Sequence, residues 1–148
     1  MLRRLGIGVV AAFLILQLLP YGRRHTNPPG HVEPRWDAPA TRALAARACF
    51  DCHSNETVWP WYSHVAPVSW LAQRDVDEGR RTLNFSEWDR PQKEARESAK
   101  TVRKGEMPPW FYVRLHPDAR LTPGEAQTLI AGLEATLGTK RGKGRDDD

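Results

Sequence analysis

Two thiols and an imidazole are the residues best placed to do chemistry. Cys49-Phe50-Asp51-Cys52-His53 holds both cysteines of the chain, three positions apart, with a histidine directly after the second. On a helical turn, residues i and i+3 project to one side and i+4 returns to it. Thiols so spaced can bond the two vinyl groups along one porphyrin edge, and the adjoining imidazole can ligate the iron. This is the C-x-x-C-H spacing of c-type haem attachment. Zinc is a competing use, but a zinc site takes about four ligands and there is no second cysteine pair. A redox dithiol of the thioredoxin kind belongs in a βαβ context, which the sequence lacks. The expected cofactor is therefore one covalently attached haem c, bonded to Cys49 and Cys52, with its iron on His53.

Haem iron takes a sixth ligand or leaves that position open, and the choice separates electron transfer from ligand chemistry. Met1 is the initiator, so Met107 is the candidate thioether. It stands in Gly105-Glu106-Met107-Pro108-Pro109, between an expected helix end and a stiff proline pair. His64 and His116, each near prolines in aromatic-rich segments, are the rivals; a lone loop histidine is more often solvated or simply packed. The expected cofactor-binding set is Cys49, Cys52, His53 and Met107, with His53 and Met107 on the metal, and no catalytic residue is assigned. Arg80 and Arg81 offer forked contacts to haem propionates, although such residues also serve as a solvated helix face. Trp59, Trp61, Tyr62, Trp70, Trp88, Trp110 and Phe111 are dense for so short a chain, and they read as walls for a haem or as stand-ins for a larger core.

The elements that must position these residues read as helices throughout. Pro39 suits a first turn, and a helix over 39–52 puts Leu44, Ala45, Ala48, Cys49 and Cys52 on one face. Residues 54–67 are irregular and aromatic, and a second helix is expected over 68–80. A charged helix over 91–104 ends at Gly105. Residues 106–118, with three prolines, read as a loop. Thr122, Pro123 and Glu125 make a capping box for a last helix whose apolar stripe is Ala126, Leu129, Ile130, Leu133 and Leu137. No convincing strand and no repeat is present. The fold class is all-α.

With 148 residues the chain holds one small domain plus appendages. Residues 5–22 are uncharged and lie between two arginine pairs, so an N-terminal transmembrane helix is expected there, in contact with membrane lipid; a cleaved signal peptide is the alternative. The segments are then 1–24 as anchor, 25–38 as a proline-rich linker, 39–138 as the haem-binding domain and 139–148 as a disordered charged tail. The formal charge of +4 comes from the ends; between His25 and Gly138 there are 14 basic residues against 15 acidic ones. No basic face calls for nucleic acid.

At several stretches the sequence resembles a known family: small membrane-anchored proteins carrying the haem-binding domain related to c-type cytochromes. The matching residues are His25 to Pro29, the run Cys49 to Leu71 with Cys-Phe-Asp-Cys-His-Ser-Asn-Glu-Thr and Trp-Pro-Trp-Tyr-Ser-His, then Asp75-Val76, Gly79-Arg80, Leu83 to Trp88 and Gly105 to Tyr112. The resemblance implies haem c, a cytochrome-c-like helical fold and an exported domain. The protein would then sit in the cell inner membrane, single-pass, with its haem domain facing the periplasm. His53/Met107 ligation suits a one-electron carrier working with redox partner proteins rather than an enzyme. The alternatives are a ligand sensor or peroxidase-like enzyme with an open or displaceable sixth position, and a haem domain with a purely structural role.

Overall fold

Proline, glycine and capping side chains divide the chain where it bends. The computed structural model describes residues 1–138, and the expected tail at 139–148 lies outside them. The helices are α1 (Leu2–Leu16), α2 (Pro39–Ala48), α3 (Phe50–His53), α4 (Val68–Thr82), α5 (Ser98–Arg103), α6 (Trp110–Leu115) and α7 (Pro123–Leu137), with 3-10 turns at Trp61–His64, Ala95–Glu97 and Pro117–Ala119. Among the described residues no β-strand forms; a single bridge pairs Val32 with Glu87. The all-α expectation holds.

The ends of α7 are set by its sequence. Thr122 Oγ1 accepts from the Glu125 amide and the Glu125 carboxylate accepts from the Thr122 amide, which closes the capping box. Gly138, at φ +75°, takes the chain out of the helix in a conformation that favours glycine. α7 packs against α2 and α5. Where α2 and α7 cross, a Cβ on Gly132 would lie 2.1 Å from Oγ1 of the buried Thr41, so the backbones approach closely only because that side chain is missing. Beside the crossing sits the core of Ala45, Phe50, Leu83, Phe85, Ala99, Val102, Leu129 and Leu133. Phe85 stacks on Phe50 at 5.6 Å and on Trp88 at 6.2 Å, with Trp36 tilted against it at 5.2 Å. Residues 25–38 run without helix along this body, and Val32 exchanges backbone hydrogen bonds with Ser86 and Trp88.

The N-terminal transmembrane helix expected over 5–22 is not present. α1 has 15 residues, about 22 Å at 1.5 Å per residue, short of the roughly 30 Å hydrocarbon core. No helix among the described residues is long and apolar enough to cross a membrane. The helix ends because the next residues are used elsewhere. Gln17 donates its side-chain amide to the Ala66 carbonyl at 2.9 Å and accepts from the Ala66 amide at 3.0 Å. Pro20 lacks a donor. Gly22, at φ +75°, lies so close to α4 that a Cβ would meet the Ser69 carbonyl oxygen at 2.6 Å. Apolar composition measured the stretch correctly but not the tertiary contacts that interrupt it.

Three further elements differ from expectation. The charged helix expected over 91–104 is reduced to the 3-10 turn Ala95–Glu97 and α5 at Ser98–Arg103. The helix expected over 39–52 breaks at Cys49, whose φ of −127° and ψ of −32° separate α2 from α3. The segment read as a loop over 106–118 contains α6, hidden in the sequence by the prolines on either side of it.

Gly132→Ala should therefore force α2 and α7 apart and cost about 1–3 kcal/mol of stability. Thr41→Ala in the same chain should restore part of it. Denaturant midpoints of the two variants and the double variant check this; an unchanged Gly132→Ala midpoint contradicts the close crossing.

Candidate cofactor site

The Cys49–His53 turn is held at almost every residue. Phe50 is buried in the aromatic core. Cys52 and His53 donate their amides to the Cys49 carbonyl, at 3.2 and 2.9 Å. The His53 carbonyl accepts from the Phe85 amide at 2.8 Å. Asp51 lies between the thiols, and both its carboxylate oxygens are occupied: Oδ1 accepts from the Val58 amide at 2.9 Å and Oδ2 from the Tyr112 hydroxyl at 2.5 Å. Burial and this bond to Asp51 push the Tyr112 hydroxyl well above its ordinary pKa and keep it a donor.

α4 fixes the other side of the turn. A Cβ on Gly79 would lie 2.2 Å from the Cys52 carbonyl oxygen, so α4 touches the turn backbone to backbone. One helical turn further on, the Leu83 carbonyl stands 3.1 Å from His53 Nδ1. Nδ1–H donates to it, which sets the tautomer and leaves Nε2 as the ring's lone-pair nitrogen. Burial pushes the His53 pKa down, so the imidazole is neutral near neutral pH, the form that binds metals.

Cys49 and Cys52 are free thiols. Burial, reinforced by each one's charged or titrating neighbours, pushes both up to about 12; for Cys49 the neighbour is Cys52 and for Cys52 it is Asp75. The two thiols and His53 line a cavity of about 400 Å³ whose other walls include Met107, Pro108, Phe111 and Tyr112. All four residues singled out in the sequence therefore share one space. Met107 is held there by the end of α5: Gly105, at φ +70°, turns the chain, and the Glu106 amide donates to the Thr101 carbonyl at 3.0 Å. Its side chain is 38% exposed, at the rim rather than in the core.

The other candidates fall elsewhere. His64 is exposed and packs edge-on against His25 at 4.3 Å. His116 lines an adjoining cavity of about 420 Å³, where its Nε2 is 2.5 Å from the Tyr62 hydroxyl and its ring stacks on Tyr112 at 4.2 Å. Arg80 spends its guanidinium on the Ser54 and Thr26 carbonyls, Asn27 Oδ1 and Thr57 Oγ1, at 2.7–2.9 Å. Arg81 is paired with Glu78. Neither arginine faces the cavities. Among the aromatics, Trp59, Tyr62, Phe111 and Tyr112 line one cavity or both, Trp36 and Trp88 pack on the core, and Trp61 and Trp110 are exposed.

Sequence reasoning missed Gly79 as a contact residue, the Leu83 carbonyl and the Asp51–Tyr112 bond. A small residue in the helical stripe of α4 was the only available signal for the first. The other two join positions 30 and 61 apart with no local pattern.

A family model described as a haem-binding domain matches residues 11–135. No curated protein and no solved structure matches the chain.

This geometry has two testable outcomes. Thiolate is the reactive form of cysteine, so the folded haem-free protein should react with a thiol reagent at neutral pH roughly 10³-fold more slowly than the unfolded chain, whose thiols return to about 8.5. Equal rates with and without denaturant contradict the burial. Gly79→Ala should displace the Cys52 carbonyl and lower the fraction of protein that acquires haem, measured as the haem-to-protein absorbance ratio; an unchanged ratio contradicts the contact.

Proposed function

Because this chain belongs to the haem-binding domain family, we propose that it is a one-electron carrier holding a single haem c. Cys49 and Cys52 would bond the haem, and His53 and Met107 would ligate its iron. The observation that carries this reading is the single cavity whose walls contain both thiols, the His53 imidazole and the Met107 thioether.

The residues fit such a group chemically. His53 has its Nδ1 hydrogen on the Leu83 carbonyl and Nε2 left over to ligate. The thiols lie on one turn and are not joined to each other. When bound, the haem supplies a one-electron Fe(III)/Fe(II) couple, at a potential that histidine–methionine ligation raises. The protein's part is to bind, orient and enclose. Leu83 holds the imidazole ring, and the Asp51–Tyr112 bond ties α6 to the turn that bears the thiols. Phe111 and Pro108 add apolar surface to the cavity wall.

Ligation of the iron by both His53 and Met107 would favour electron transfer over ligand chemistry, since it would leave no position open. We extend the proposal to location and partners. In the proteins that this chain resembles, thioether-linked haem is attached outside the cytoplasmic membrane. The domain is accordingly proposed to face the periplasm and to exchange electrons there with redox proteins.

Expression in a host able to attach haem c tests the reading. The red colour should stay with the polypeptide through acidified organic solvent, and Cys49→Ala with Cys52→Ala should release it; complete extraction from the unaltered protein would falsify thioether attachment. The unaltered protein should be low-spin and slow to take carbon monoxide. Met107→Ala should turn it high-spin and able to bind carbon monoxide. If the unaltered protein already behaves in that way, the sixth position is open and the sensor or peroxidase-like reading replaces the carrier.

A further inference from the structure

Residues 17–27 run without helix from the end of α1 onto the body of the protein. α1 depends on them, since it buries none of its own residues and, among the described residues, packs against no other helix. The segment is fastened along its length. Gln17 is bonded to the Ala66 backbone, and Gly22 lies against Ser69. His25 stacks on Trp59 and meets His64 edge-on, with ring centres 4.3 Å apart in both cases. Beyond it, Arg80 donates to the Thr26 carbonyl and Asn27 Oδ1, and Asn27 Nδ2 donates to the Thr57 carbonyl at 3.0 Å.

Of the side-chain types that make these contacts, only histidine changes charge near neutral pH. His25 Nε2 is buried and has no hydrogen-bond partner. A neutral imidazole can leave that nitrogen as a lone pair. An imidazolium carries a hydrogen on both ring nitrogens, so here it would bury an N–H that has no acceptor. It would also set a positive charge against the second imidazole, 4.3 Å away between ring centres.

No carboxylate compensates that charge. The charged or titratable groups on this segment and on the elements against it are Arg23, Arg24, Glu56, His64, Asp77 and Arg80. Glu56 is paired with His31, and Asp77 accepts from Gln73. Of the six, only His64 acts on His25 through its charge. Burial first, and the His64 charge second, push the His25 pKa down; the Ser63 and Gly22 backbones favour the proton and are the smaller effects. A group held neutral in this way stabilises the fastened segment above about pH 6.5, its ordinary value, and loses that contribution as the pH falls below it.

We propose that the His25–Trp59–His64 contact is an acid-sensitive latch on the N-terminal segment. Protonation of the imidazoles frees residues 18–25 and loosens α1, while Thr26 and Asn27 stay on Arg80, whose bonds do not titrate in this range. The latch does not depend on the haem assignment.

Proton NMR of the full-length holoprotein tests it. Cross-peaks between the His25 and Trp59 rings should be strong at about pH 7.5 and lose more than about half their intensity near pH 5. The backbone ¹⁵N heteronuclear NOE over residues 18–25 should fall over the same interval while that of α7 stays constant. Undiminished cross-peaks at the acid end overturn the proposal. His25→Phe keeps a ring on Trp59 but cannot be protonated, so its contact should persist at both pH values; an acid-induced loss as large as in the unaltered protein overturns the latch. His64→Gln, at an exposed position, decides the matter if His25→Phe does not fold. Without the opposing charge, the His25–Trp59 cross-peaks should keep more of their intensity in acid, and a loss equal to that of the unaltered protein again overturns the proposal.

Discussion

The contact on which the rest of the site depends is the backbone approach of α4 to the Cys49–His53 turn at Gly79. With the Cys52 carbonyl oxygen where a Cβ would stand, α4 lies nearer the turn than any other residue type would allow. The residues just after Gly79 are then in place to grip the turn. Arg80 reaches the Ser54 carbonyl, the Leu83 carbonyl meets His53 Nδ1, and the Phe85 amide meets the His53 carbonyl. Residues 79–85 thus form one side of a sleeve around the thiols, and the orientation of the imidazole is a consequence of how α4 ends. A methyl group at position 79 acts at a distance from the metal ligand but changes all of these contacts together, because they share one rigid segment.

The same geometry explains why the core is small. Its largest members are Phe50, Leu83, Phe85, Leu129 and Leu133, and most of the rest is alanine. Larger apolar residues such as Leu71, Phe111 and Leu115 stay exposed instead and line the two cavities. In a domain of this size such an arrangement sacrifices burial that it can hardly spare. The deficit is offset if a flat apolar group occupies the space, since a ligand that binds only the folded state adds its binding free energy to stability. A haem bound in this space would then stabilise the fold as well as fill the site.

What could be read from sequence was local. Thr122, Pro123 and Glu125 mark the start of α7 because a capping box is a contact among neighbours. The C-x-x-C-H spacing identifies its turn for the same reason. The N-terminal stretch shows the limit of such reading. Its composition fits a membrane span, yet Gln17 hydrogen-bonds to Ala66 and Gly22 packs on Ser69, 49 and 47 positions away in the chain. Arg80 is similar: from sequence it is a free guanidinium on a helix, but Thr26, Asn27, Ser54 and Thr57 consume its donors. Prolines on both sides of α6 disguised six helical residues as loop.

The bond between Asp51 and Tyr112 connects these levels. Asp51 stands between the two thiols, and Tyr112 stands five positions after Met107, so a single hydrogen bond ties the segment bearing one proposed axial ligand to the turn bearing the other. A methionine at the rim of a cavity, 38% exposed on a proline-flanked loop, has little packing of its own to hold it. Its position depends on α5 before it and on α6 after it. α6 buries none of its own residues, so its attachment to the body rests largely on polar contacts, with Tyr112 reaching Asp51 and His116 reaching Tyr62. The distance between the two sides of the cavity is therefore set less by apolar packing than by two hydrogen bonds from one short helix and its cap, and a donor lost there loosens the Met107 side of the site while leaving the His53 side intact.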